Sequence, residues 1–287
     1  MGPSPLPQRT PMATLPPDVP PPADGAAANT TVTRLDIRQG AAWITLNRPD
    51  SRNALSAALV NELDAHLQAA AINPAVRCVV ITGAGSAFCA GADLKSPPGQ
   101  VVNGRQGVTL ADVLARIQDH PKPVIAAVNG AAFAGGLGLV GASDIVITAE
   151  DAPLSFSEVK IGVIPAVISV VCLPKLGPSH GMKLLLTGER FDGRRAVQVG
   201  LAHRAVPADQ LQAAVQQEID ALRLAGPNAL AECKKLVRRI PTLGRDAALQ
   251  EAAEWSLRMF LSPEAAEGMA AFREKRPPAW ALPAAND

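Results

Sequence analysis

The chain has 287 residues, 48% of them apolar, enough to bury a sizeable core, and its formal net charge is +1 from 27 basic and 26 acidic side chains. So balanced a charge leaves no long-range field to gather a polyanion, which argues against nucleic acid as a partner. Four cysteines without a CxxC pair and four histidines without helical-face spacing argue against a metal site or a disulfide framework, and reduced thiols fit a cytoplasmic protein.

Residues 1–28 are rich in Pro and Ala and almost free of large apolar side chains, so a disordered tail is expected there. The tail lacks the apolar centre of a secretory signal, and no run of the chain reaches the roughly 18–20 apolar residues of a membrane span. Residues 31–36 and 41–46 read as a hairpin turning at Gln39-Gly40. After Ser56, a candidate N-cap, Leu55, Leu59, Leu63 and Leu67 recur every fourth residue and predict a helix to about Ile72, ended by Asn73-Pro74. Residues 77–82, 124–129 and 145–149 are continuous apolar runs, the pattern of strands buried on both faces of a largely parallel sheet. Helical segments between them give an α/β architecture with right-handed crossovers. Beyond about residue 178 the pattern is helical, with stretches at 178–186, 208–224, 228–240 and 245–273 broken by Pro227, Pro241 and Pro263. The pairs Lys234-Lys235 and Arg238-Arg239 read as a solvated helix face.

Three segments have the composition of a site. Gly83 to Lys95 follows a buried strand and is built of small residues, which let backbone N–H groups approach a ligand; an ordinary glycine-rich turn is the alternative. Asn129 to Gly141 follows the next strand and should open a helix, whose first N–H groups are unpaired and sit at the positive end of the helix dipole, suited to a developing oxyanion. Within it, Gly136 to Gly141 matches the dinucleotide fingerprint literally. Six residues intervene after the strand, however, and the next strand begins too soon for a crossover helix, so the spacing argues against a nicotinamide dehydrogenase. In Ser155 to Pro165, Glu158 stands in apolar surroundings that would raise its pKa toward a useful acid-base range; a surface pairing with Lys160 is the competing reading. No histidine lies near Cys89 in sequence, so that thiol is read as structural.

Ala87 to Leu94, Lys122 to Gly130 and Ile164-Pro165, with Asn47-Arg48-Pro49 and Arg52 to Leu55 upstream and Glu267 to Phe272 downstream, resemble the enoyl-CoA hydratase/isomerase family, the crotonase superfamily. The resemblance implies an α/β fold, a crotonase-like spiral of ββα units over 29–205 with a C-terminal α-helical trimerisation region over 206–287. It implies homotrimers or hexamers, and an acyl-CoA substrate with no cofactor beyond the CoA it carries. On this family's pattern the oxyanion donors fall on Ala92 and Gly135, and the acid-base group on Glu158. Arg52, Ala54, Ala90 and Lys95 match positions lining the CoA adenine and phosphates, and Asp93, Leu94, Phe133 and Gly136 group with them as CoA or substrate contacts. Phe272 and Lys275 match residues that reach a neighbouring subunit's ligand. The acyl pocket is expected from residues 97–107 with Phe133 and Ile161. The sequence departs from the best-studied hydratases at Gly138, where those have a second glutamate, and Ala166 stands where a dienoyl isomerase would carry an extra acid. Hydration of a 2-enoyl thioester, branched ones included, ranks ahead of double-bond isomerisation and of non-catalytic acyl-CoA binding.

Overall fold

The structure is a computed structural model that describes residues 31–96 and 107–281; the expected tail at 1–28 lies outside them. β1 (Thr33–Arg38) and β2 (Ala41–Leu46) pair antiparallel across Gln39 and Gly40, both at positive φ, as a two-residue turn matched to the strand twist requires. β3 (Cys78–Gly83), β5 (Val124–Val128), β7 (Ile145–Ala149) and β9 (Arg204–Val206) then add in parallel to give the order β1-β2-β3-β5-β7-β9. A second, parallel sheet is made of the short strands β4 (Ala87–Cys89), β6 (Ala131–Phe133) and β8 (Leu154–Ser155). Each long strand β3, β5 and β7 is thus followed by a short one in the other sheet, and then by helix: α2 (Leu110–Asp119), α3 (Gly135–Ala142) and α4 (Ala166–Thr187). This is a ββα unit used repeatedly, and the faces of the two sheets and the helices bury one large apolar cluster.

α1 (Ala57–Ile72) starts where its N-cap demands, with Ser56 Oγ accepting from Leu59 N at 3.2 Å, and it buries Leu59, Leu63 and Leu67. Leu55 has left the helical series: it forms an isolated parallel bridge with Ala92. α4 begins twelve residues before the expected helix at 178 and runs across a kink at Gly177, whose φ of 66° and ψ of 168° separate the helical halves. α5 (Gly193–Gln198) and β9 fall between the helical stretches expected at 178–186 and 208–224; β9 is three residues long, too short for a periodic signal. α6 (Leu211–Leu224) and α7 (Pro227–Arg239) follow, and the stretch at 245–273 divides into α8 (Arg245–Phe260) and α9 (Pro263–Glu274), the latter capped by Ser262 Oγ. Among the described residues no helix is long and apolar enough to cross a membrane.

The solvated-face reading of α7 holds on one side only. Lys235 and Arg239 pair outward with Glu232 and Glu251, whereas Lys234, its side chain 7% exposed, turns inward to Asp144 Oδ2 at 2.6 Å. The spacing i, i+4 puts Arg238 on the side of Lys234, a distinction that a run of like charges hides.

Candidate active site

Four polar side chains build the ground under the small-residue segments. Asn53, at a φ of 55°, donates from Nδ2 to the carbonyls of Ala84 and Ala87 and accepts Arg48 N on Oδ1. Asn129 accepts Gly83 N and donates to Gly85 O, so two asparagines pin the turn between β3 and β4 from below. Arg48 bonds Ala54 O at 2.7 Å and Asp93 Oδ2 at 2.9 Å, and this pair, together with backbone bonds to Lys95 and Ser96, holds the Asp93 carboxyl below its usual range; the largest of these causes is the Lys95 N–H. Arg190 places its guanidinium 5.6 Å from the centre of the Phe133 ring. None of these four was singled out from the sequence as a site residue, because each acts through partners 30 or more residues away, or lies outside the small-residue runs.

The chain at 52–55 then lies beside the chain at 90–93. Ala90 N donates to Arg52 O, Leu55 N to Gly91 O, and Asp93 N to Leu55 O. In such a ladder alternate residues face opposite ways. Leu55 takes up the groups flanking Ala92, so the Ala92 N–H itself faces away from it, toward the start of α3. Gly135 is the first residue of α3, where an N–H has no partner within the helix. A Cβ built on Gly135 would lie 3.8 Å from Ala92 N, and one on Gly91 would lie 3.5 Å from Gly135 N. The two amides are therefore neighbours, and among the described residues neither N–H donates to a carbonyl of a turn, loop or cap. Gly91 has φ +95° and a Cβ on it would lie 3.0 Å from Ala134 Cβ and from the Phe133 carbonyl oxygen, and a side chain on Gly136 would run into the Cys89 carbonyl, so both positions need glycine.

Ala134 is the helix's N-cap and has φ 47° and ψ −121°, backbone that favours glycine and costs an L side chain about 1–3 kcal/mol. Ala134 N bonds Ser155 O, and this strained residue swings the chain from β6 into α3, aiming the Gly135 amide. Ala134→Gly is expected to raise stability by about 1 kcal/mol, the strain being partly offset by the added freedom of the unfolded glycine, while Ala134→Val lowers it; urea unfolding reads both.

β8 brings Glu158 to the same place. Phe133 pairs with Ser155 in register, so Gly135 lies two residues beyond one strand end and Glu158 three beyond the other. Glu158 sits in a single 3-10 turn, Ser157–Ile161, closed by Gly162 at φ 78°. Its Oε2 is buried without a hydrogen-bond partner among the described residues, and burial pushes its carboxyl above the ordinary value of 4.5. No pairing with Lys160 forms, so the surface salt-bridge reading fails. The carboxylate lies near the seam of α3 and α4, where it adds to the rise that burial imposes on the Cys172 thiol, to about 12. At that seam a Cβ on Gly138 would be 2.6 Å from Ile168 Cγ2 and 3.3 Å from Leu114 Cδ1, and one on Gly141 would be 2.5 Å from Cys172 Sγ. The glycines read as a dinucleotide fingerprint thus serve close helix packing, and β5 leads into β6 before any helix, as the spacing argument required.

Arg52, Ala54, Ala90, Ala92, Asp93 and Lys95 come together with Gly135 and Gly136 around this ladder, with Leu94 pointing out at 78% exposure. Phe133 joins from β6. Phe272, 87% exposed, and Lys275, the left-handed cap of α9, stand apart on a helix whose packing partner is α8. Of the expected acyl-pocket loop, residues 97–106 lie outside the described residues; Ile161 is exposed. Cys89 is fully buried with its thiol pushed up to about 12 by burial, in keeping with a structural role.

Residues 36–282 match the family model for enoyl-CoA hydratase/isomerase. The chain is 36% identical over 242 residues to a putative enoyl-CoA hydratase of Thermus thermophilus, covering 83% of this chain and 96% of that protein. It is 34% identical over 253 residues to the carnitinyl-CoA dehydratase of Proteus mirabilis, covering 86% and 97%. Among solved structures, Pseudomonas aeruginosa AtuE superposes with a TM-score of 0.79 at 36% identity over 88% of this chain and all of that one, and an enoyl-CoA hydratase from Mycobacterium smegmatis does so with 0.79 at 30% identity over 88% and 99%. Ladder, repeated ββα units and whole-length likeness agree: the chain belongs to the enoyl-CoA hydratase/isomerase family and has the crotonase fold with a C-terminal helical region.

Proposed function

We propose that the protein hydrates a 2-enoyl-CoA thioester, holding the thioester oxygen between the Ala92 and Gly135 N–H groups and moving protons with Glu158. The observation that carries the reading is the pair of adjacent amides without carbonyl partners, with a half-buried carboxylate, its Oε2 unpartnered among the described residues, three residues beyond the strand that pairs with β6. Hydrogen bonds to the thioester oxygen draw electron density from the double bond, so the β-carbon becomes electrophilic and the enolate is stabilised as it forms. Glu158 takes a proton from water as its oxygen bonds to the β-carbon, then delivers that proton to the α-carbon, so one H and one OH are added across the bond. Relatives with this name, alike over nearly their whole length, support the reading.

Isomerisation of a 3-enoyl thioester is the second reading, favoured by one observation: position 138 is glycine, and Ile168 and Leu114 close the space beside it. One carboxylate suffices there, taking the α-proton and returning it to the γ-carbon. A panel of 2-enoyl and 3-enoyl thioesters, followed by loss or gain of conjugation and by product mass, separates the two. Hydration adds 18 mass units to the product, about one water; isomerisation adds none. Tight binding without turnover of any member would leave an acyl-CoA binder instead.

In this reading Arg52, Ala54, Ala90 and Lys95 receive the nucleotide end of CoA, Asp93, Leu94, Phe133 and Gly136 border the pantetheine and acyl group, and Phe272 and Lys275 serve a neighbouring subunit in a trimer or paired trimers. The exposed apolar side chains Val170, Met182 and Leu186 on α4 and Phe260 and Phe272 on α8 and α9 support such assembly. Lys95→Ala and Arg52→Ala are each expected to weaken CoA-ester binding several-fold, about 1 kcal/mol, and less so at high salt, since exposed phosphate contacts are screened. Pantetheine esters, lacking the nucleotide, should show no such change in a parallel titration.

A further inference from the structure

A second cleft opens at the end of the main sheet where the inner strands β5 and β7 begin, between α4, α6 and α7; its volume is about 810 Å3, within the roughly 300–1,000 Å3 of small-molecule sites. Its wall is mostly apolar, with Val171, Pro174, Leu222, Leu230 and Val237 prominent. Three cations and one carboxylate share that wall: Lys175, Lys234, Arg238 and Asp144. In a chain whose net charge is +1, this is a local excess of two positive charges.

The single carboxylate is already engaged. Asp144 Oδ2 accepts both Val124 N at 2.8 Å and Lys234 Nζ at 2.6 Å. Among the described residues Lys175 hydrogen-bonds only the Ser143 carbonyl, at 2.7 Å, and Arg238 makes no ion pair or hydrogen bond. Lys234 is matched by Asp144 and by the carbonyls of Ile117 and Lys122, whereas Lys175, whose ammonium burial holds below the ordinary lysine value, hydrogen-bonds a neutral carbonyl, so the charges of Lys175 and Arg238 are the ones left without a carboxylate. Uncompensated charge on an apolar wall is costly, and an anion supplied from outside relieves it.

We propose that this cleft binds an amphipathic monocarboxylate, a medium-chain alkyl carboxylate, with its tail along Val171, Leu230 and Val237 and its head group between Lys175 and Arg238. The site does not depend on the catalytic reading, because the Ala92 and Gly135 amides lie beyond the other ends of the strands.

Cys233 gives a readout that needs no mutation. It lines the cleft and is exposed, while Cys78, Cys89 and Cys172 are buried with thiols pushed up to about 12, so iodoacetamide selects Cys233. Decanoate at ten times its dissociation constant should slow alkylation of the full-length protein about tenfold, read by intact mass, whereas decylamine should not. Arg238→Ala, which removes no hydrogen bond or ion pair among the described residues, should weaken that protection at least about tenfold. Unchanged alkylation with decanoate, equal protection by decylamine, protection indifferent to Arg238, or a Cys233 inert without ligand would each overturn the proposal. Slowed turnover with Cys233 unprotected would overturn it as well, since it would place decanoate elsewhere.

Discussion

Glu158→Gln lowers kcat for enoyl-CoA turnover about 100- to 10,000-fold, the range for a positioned acid-base group, while thioester binding is retained. The amide fills the carboxylate's volume and can still hydrogen-bond water, but it cannot accept the proton that hydration or isomerisation must move. The same change acts on stability with a sign that follows from burial. The folded protein holds the Glu158 carboxyl above 4.5, so the charged form is the disfavoured one, and the stability present below that pH is lost as pH rises through the raised value. Glu158→Gln is therefore expected to be more stable than the parent at pH 7 and to lose that advantage near pH 4. Stopped-flow or steady-state rates and urea unfolding at the two pH values measure both effects. An unchanged kcat would remove Glu158 from the mechanism, and a less stable variant at pH 7 would contradict its desolvation.

Gly135→Pro should cost about 100- to 1,000-fold in turnover, equivalent to roughly 2.7–4 kcal/mol of transition-state stabilisation, by deleting one of the two donors. The substitution suits the fold better than most prolines would, because Gly135 is the first residue of α3, where the helix makes no use of the N–H and proline's fixed φ is acceptable. The added Cβ would meet Leu55 Cδ1 at 3.0 Å and Leu110 Cδ2 at 3.2 Å, both ends of side chains that can turn aside. Gly135→Ala presents the same Cβ to the same neighbours and keeps the amide. The ratio of the two variants' rates therefore isolates the donor, provided that thermal melting shows both folded. Equal rates would mean that the Gly135 amide does not face the reacting oxygen.

Strain at Ala134 ties these predictions together. An L residue at φ 47° persists only where the surroundings over-determine it, and here the Ser155 carbonyl on one side and α3 on the other do so. The position that stores this energy is the one that aims the donor. Stability given up at a site and useful direction gained there are the same backbone torsions.

Much of the molecule was legible from local chemistry. Alternation and β-branched residues around Gln39-Gly40 placed the hairpin, the Ser56 cap and leucine spacing placed α1, and continuous apolar runs placed β3, β5 and β7, because each of those signals is contained within ten or fifteen residues. Small residues likewise marked the two amide-bearing segments. What local chemistry could not tell is which groups meet. Leu55 fits a helical series yet pairs with Ala92, Lys234 fits an exposed face yet reaches Asp144, and glycines spaced like a nucleotide loop pack against Ile168 and Cys172. A residue's type and spacing fix its conformational preference and its chemistry; its partners, its burial and therefore its pKa come from chain segments 30 to 90 residues away, brought close by the two sheets. Glu158 makes the point: its identity promises a proton carrier, and the α3–α4 seam beside it supplies the desolvation that would make one useful.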